Sequence, residues 1–77
     1  MTTRALKKRS FSIAGHRTSI ALEGEFWTAL EANAREDRVP LVTLVKRIDT
    51  ARGEVNLASA LRVYALMRAL AAKPPRA

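Results

Sequence analysis

The stretch Arg17-Thr18-Ser19-Ile20-Ala21-Leu22, followed without a break by Glu23-Gly24-Glu25-Phe26-Trp27, decides how this chain is read. In its first half Thr18, Ile20 and Leu22 alternate with Arg17, Ser19 and Ala21, the period of two that a strand requires. In its second half the period changes. Phe26, Trp27, Leu30 and Ala34 form one stripe at helical spacing, while Glu25, Glu31, Arg35 and Glu36 point elsewhere. Glu23 and Glu25 stand in the first turn, where carboxylates favour the positive end of the helix dipole. A short strand of this kind has little to pair with in its own chain, and an isolated two-stranded ribbon is marginal in water. The pattern therefore points to a second chain.

Upstream, Phe11 and Ile13 alternate with Ser10 and Ser12, and the phase reverses at Gly15, which marks a tight turn or a bulge. Residues 1–9 show no apolar periodicity and read as a flexible basic arm. Downstream, Pro40 disfavours helix at Val39 but suits the first turn of the next helix. Leu41, Leu44, Val45 and Ile48 mark that second helix, which ends near Arg52-Gly53. Asn56 is a good N-cap for a third, in which Leu57, Ala60, Leu61, Tyr64, Met67 and Ala71 recur at helical spacing. The expected division is an arm over 1–9, a strand-helix-helix domain over 10–52, an appended helix over 53–73 and a tail over 74–77.

The chain has 77 residues, with 14 Lys+Arg against 7 Asp+Glu and a net charge of +7. That length allows one small domain with a thin core. Without cysteine there is no disulfide framework and no thiolate metal site. A hydrophobic share of 48% is too high for a disordered polyelectrolyte. The apolar runs fall far short of the ~20 residues of a membrane span, and no signal-peptide core follows the basic N-terminus. A soluble, cytoplasmic, oligomeric protein is expected. Arg4, Lys7, Lys8, Arg9 and Arg17 precede any acid, whereas Glu23, Glu25, Glu31, Glu36 and Asp37 follow close together. Anions are therefore expected on the N-terminal side.

Catalysis is not expected. His16 is the sole histidine, has no nucleophile or metal-ligand partner at a telling spacing, and reads as a solvated turn residue. Were two chains to meet near Gly15, paired histidines would make the contact pH-sensitive. Glu23 and Glu25, two apart on a helix, do not face each other. No Gly-rich phosphate loop, nucleophile elbow or metal motif occurs, so neither enzyme nor cofactor is expected.

From Gly15 to about Thr50 the order of strand, helix, tight turn and helix resembles the ribbon-helix-helix (MetJ/Arc-type) family. Gly15-His16-Arg17-Thr18-Ser19 and Asn56-Leu57-Ala58-Ser59-Ala60-Leu61-Arg62-Val63 are similar to a small bacterial subfamily with an appended C-terminal helix. The resemblance implies a mainly α fold with one short strand per chain. Two chains would pair these strands into an intermolecular antiparallel ribbon over an intertwined core, with a third helix added. Thr18, Ile20, Leu22, Phe26, Trp27, Leu30, Leu44, Val45 and Ile48 would form that dimer core.

The implied function is sequence-specific binding of double-stranded DNA by a homodimer, as a bacterial transcriptional repressor acting at the nucleoid. The ribbon would enter the major groove. Arg17 suits guanine O6 and N7, Ser19 bonds several bases, and Ala21 offers a methyl contact. Phosphates would meet the N-terminus of the second helix at Leu41, Val42 and Thr43, with Arg38 beside it and Arg4, Lys7, Lys8 and Arg9 from the arm. The family's usual Gly-x-Ser/Thr is replaced by Arg38-Val39-Pro40, and Pro40 lacks both an N–H and a hydroxyl. The alternative is an antitoxin-like or adaptor dimer that binds DNA weakly and offers Leu57, Leu61 and Tyr64 of the third helix to a protein partner. A membrane partner is not expected, because the arm lacks a bulky apolar face. Assembly on DNA beyond a dimer is left open.

Overall fold

The computed structural model describes residues 5–72. Two strands, β1 (Leu6–Ile13) and β2 (His16–Glu23), precede three helices, α1 (Gly24–Asp37), α2 (Leu41–Ala51) and α3 (Leu57–Ala72). β1 and β2 form one antiparallel hairpin, with Ile13 opposite His16 and Leu6 opposite Glu23. Its turn is Ala14-Gly15, where φ is 53° and 80°. Two successive positive φ values belong to the two-residue hairpin turn whose twist matches the flanking strands. Glycine takes that conformation freely and Ala14 at some cost.

Two expectations are corrected here. Each chain carries two strands where one short strand was expected, because β1 pairs with β2 along its whole length. And Leu6 to Arg9 belong to β1, not to an arm. The reason lies in Trp27. Its indole Nε1–H donates to the Lys7 carbonyl at 2.7 Å, its ring sits 5.9 Å from that of Phe11, and the Arg9 guanidinium lies 5.0 Å over it. Arg9 also bonds Glu31 at 2.6 Å. A charged segment is thereby held against α1 by its stems and backbone.

β2 passes into α1 with no linker, Glu23 standing at the N-cap in extended conformation. α1 stops at Arg38, whose φ of 59° is left-handed, and the Val39 N–H closes the helix end on the Ala34 carbonyl at 3.0 Å. Asn56 caps α3, its Oδ1 accepting from the Ser59 N–H at 3.1 Å. The core contains Ile13, Ile20, Leu22, Trp27, Leu30, Ala34, Leu44, Val45, Ile48, Leu61 and Ala65. The residues expected to make a dimer core thus pack within one chain, Thr18 and Phe26 being half-buried. α3 completes that packing, with Leu61 wholly buried. Arg62 bonds Glu23 at 3.0 Å, and Arg68 bonds Asp37 at 2.7 Å and Glu36 at 3.0 Å. These pairs clasp α3 to the start and end of α1.

Candidate nucleic-acid interface

Alternation along the hairpin gives it two unlike faces. Arg9, Phe11, Ile13, Thr18, Ile20 and Leu22 turn toward the helices. The opposite face carries Lys8, Ser10 and Ser12 from β1 and Arg17, Ser19 and Ala21 from β2, all exposed except the half-buried Ala21. In register Lys8 is opposite Ala21, Ser10 opposite Ser19, and Ser12 opposite Arg17. The Ser10 and Ser19 hydroxyls are 3.0 Å apart across the strands. The outward face is therefore rich in hydroxyls and cationic toward two corners, and by the same alternation Leu6 and Glu23 continue it at the end next to α1, where Arg62 holds the Glu23 carboxylate. The exposed hydroxyl and cationic groups donate to and accept from base edges without steric bulk.

Sequence reasoning placed Arg17, Ser19 and Ala21 on this face but missed that Ser10 and Ser12 share it. Their alternation with Phe11 and Ile13 was the available signal, and the two-residue turn at Ala14-Gly15 supplies the register that unites the two sets.

The expected phosphate contacts divide. Arg4 lies outside the described residues. Lys7 and Lys8 are exposed on the hairpin, whereas Arg9 is bound to Glu31 and Trp27. At α2, Pro40 is the N-cap, no side chain caps the helix, and Arg38 is exposed beside it. The Thr43 N–H is taken by the Pro40 carbonyl at 3.0 Å, leaving the N–H groups of Leu41 and Val42 at the helix start. His16 is exposed at the end of the hairpin, and the described residues hold no group of three His, Cys, Asp or Glu side chains suited to a metal.

The expected partner surface on α3 is also corrected. Leu61 is buried, and Leu57 and Tyr64 pack against the core. The apolar side chains left open on α3 are Val63, Leu66, Met67 and Leu70, each more than half exposed. Beside them a groove of about 510 Å³ runs between α2 and α3, lined by Leu44, Ile48, Ala51, Val55, Val63 and Tyr64 among others.

The Glu23 carboxyl is held below its ordinary range by a backbone hydrogen bond and by Arg62. Asp37 is held low by the Arg68 guanidinium, and Arg68 is in turn shifted upward by Asp37. These groups brace α3 against the end of β2 and the end of α1.

Residues 6–69 match the family model described as a ribbon-helix-helix domain, which covers both strands and nearly all of α3. The chain belongs to the ribbon-helix-helix family. Among curated proteins and among solved structures no significant match is found. Ribbon-helix-helix proteins as a family are DNA-binding regulators that typically act as dimers, and the polar hairpin face with an uncapped α2 start is consistent with that role. Among the described residues of this ribbon-helix-helix chain, no helix is long and apolar enough to cross a membrane.

Proposed function

We propose that the chain is a sequence-specific DNA-binding protein that acts as a homodimeric transcriptional repressor in the bacterial cytoplasm, at the nucleoid. The observation that carries this reading is the polar, cationic outward face of the hairpin, where Arg17 stands with Ser19 and Ala21 and the one acid in phase with them, Glu23, is paired with Arg62. Arg17 would donate two bonds to guanine, with Ser19 and Ala21 supplying a hydroxyl and a methyl contact. Lys7, Lys8 and Arg38, with the N–H groups of Leu41 and Val42, would hold phosphates and set the register. Selection from random double-stranded DNA at near-physiological salt tests the reading, with enrichment of one short inverted-repeat motif as the expected result. Log K should fall against log salt with a slope of about −4 to −5 if four to six phosphates are contacted. No retention of duplex would refute DNA binding.

A second reading gives α3 a protein contact, and the open stripe Val63, Leu66, Met67 and Leu70 favours it. The occupant that fits is a second copy of this chain. α3 carries no acid, and its two arginines are already satisfied by Glu23, Glu36 and Asp37, so two such stripes meet without like charges between them. Five half-exposed apolar side chains, Val55 included, offer on the order of 500 Å² per copy, near what a specific interface needs. Sedimentation equilibrium should give a dimer that Leu70→Lys converts to monomer; a dimer unaffected by that change would place the contact elsewhere.

A further inference from the structure

We propose that β1 is a phosphate-gripping flank to the base-reading strand β2. When two chains join through β2, Lys8 and Ser12 of each β1 stand over the rims of the major groove and hold its backbone. The inference rests on the DNA-binding reading and gives a separate part in it to the strand that supplies none of the base contacts.

The first step is which edge of the hairpin takes a second copy. The sheet order is β1-β2, so within one chain each strand has one neighbour and one outer edge. The β1 edge resists pairing. Lys7 and Lys8 are exposed there in no ion pair among the described residues, and the Lys7 carbonyl already accepts from Trp27 at 2.7 Å. Lysines on an edge strand guard it against strand addition, and two β1 edges would bring those of both chains into one seam. β2 has no such guard. Thr18, Ser19, Ile20, Ala21 and Leu22 carry no charge, so its outer edge is the one suited to an antiparallel second copy.

Strand spacing then fixes where β1 falls. Neighbouring strands lie about 4.8 Å apart, so with the two β2 strands astride the two-fold axis each β1 stands about 7 Å from it. The major groove is about 12 Å wide, which sets the β2 pair over its floor and each β1 over a rim lined by phosphates. The outward side chains of β1 share a plane with those of β2, Lys8 being opposite Ala21 and Ser12 opposite Arg17. Their chemistry suits the rim. Lys8 is a flexible point charge that takes a phosphate oxygen but cannot make the forked contact of Arg17 with guanine. Ser12 offers a hydroxyl, a common phosphate donor. The Ser10 hydroxyl lies 3.0 Å from that of Ser19 and so positions the base-reading serine from the flank.

Two experiments on the full chain test this. Lys8→Ala removes one phosphate contact from each chain of a dimer, so the plot of log K against log salt should become shallower by about 2. The ratio of affinities for the selected and a scrambled duplex should stay within about 2-fold, and Ser12→Ala should weaken both duplexes alike. A lost preference would make β1 a base reader, and an unchanged slope would leave Lys8 off the DNA. Either result overturns the inference while DNA binding stands. If the unaltered chain retains no duplex, the DNA-binding reading itself fails, and the inference with it. Because the protein contains no cysteine, single substitutions report which edge is joined. Ser19→Cys should oxidise to a disulfide between chains, whereas Ser10→Cys, with its copies about 14 Å apart, should not. Linkage through Ser10→Cys and not through Ser19→Cys would put β1 at the joint and overturn the proposal.

Discussion

The Arg9 guanidinium lies 5.0 Å over the ring of Trp27 while its Nη1 holds Glu31 at 2.6 Å, which joins the middle of β1 to the middle of α1. Its side chain is thus spent on holding the hairpin, and its charge is balanced before any DNA arrives. Trp27 completes the joint by donating to the Lys7 carbonyl. Trp27→Phe keeps most of the apolar contact and loses that donor. Its expected cost is about 1–2 kcal/mol, read as a lower urea midpoint with an unchanged slope.

Asn33 is buried in α1 with no acceptor for its Nδ2. It lies one helical turn before Asp37 and two turns after Phe26, both of which meet arginines of α3. A buried donor left unpaired costs more than an apolar group of similar shape. Asn33→Leu should raise stability by about 1 kcal/mol or more in urea unfolding; a loss would show that the amide has a role in packing.

Leu61 and Leu70 share one helix and should behave oppositely. Leu61 is wholly buried, so Leu61→Ala should cost about 2–5 kcal/mol by thermal or urea unfolding. Leu70 is 57% exposed, and Leu70→Lys should leave monomer stability within about 0.5 kcal/mol while affecting self-association.

Acid should loosen α3 first. Glu23 and Asp37 have folded-state pKa values below their unfolded ones, so each adds stability that is present above the unfolded value and lost as pH falls through the folded one. Helical circular dichroism should be flat from neutrality down to about pH 5 and decline below about pH 4. Arg62→Met/Arg68→Met should flatten that decline; an unaltered acid limb would assign it to other carboxylates.

The helices and β2 were legible because their apolar side chains keep one period. The bounds follow the punctuation, with Pro40, Gly53 and Asn56 at or beside helix ends. β1 was only half legible. Its inward positions are Lys7, Arg9, Phe11 and Ile13, so the first two hide the alternation behind charge, although the stem and guanidinium of Arg9 cover Trp27 as an apolar side chain would. The stripe of α3 was misphased at Met67 and Ala71 because that helix is apolar almost all round. Two stripes compete there, and only the clasps of Arg62 and Arg68 choose between them. On the candidate site, composition supplied the chemistry of Arg17 and Ser19, while the register that adds Ser10 and Ser12 depends on the geometry of the turn.

The ion pairs of α1 and α3 also set what a polyanion meets on approach. Of the acids, Glu23, Glu31, Glu36, Asp37 and Asp49 are each matched by an arginine of the same chain. Their repulsion is cancelled at short range, whereas Lys7, Lys8, Arg17, Arg35, Arg38, Lys46 and Arg47 keep exposed cationic groups in no ion pair among the described residues. At distances beyond a Debye length, about 8 Å at physiological salt, the paired charges largely vanish from the field. On the proposed reading, the attraction that draws a duplex comes from the hairpin together with the end of α1 and α2, while the paired acids oppose it little.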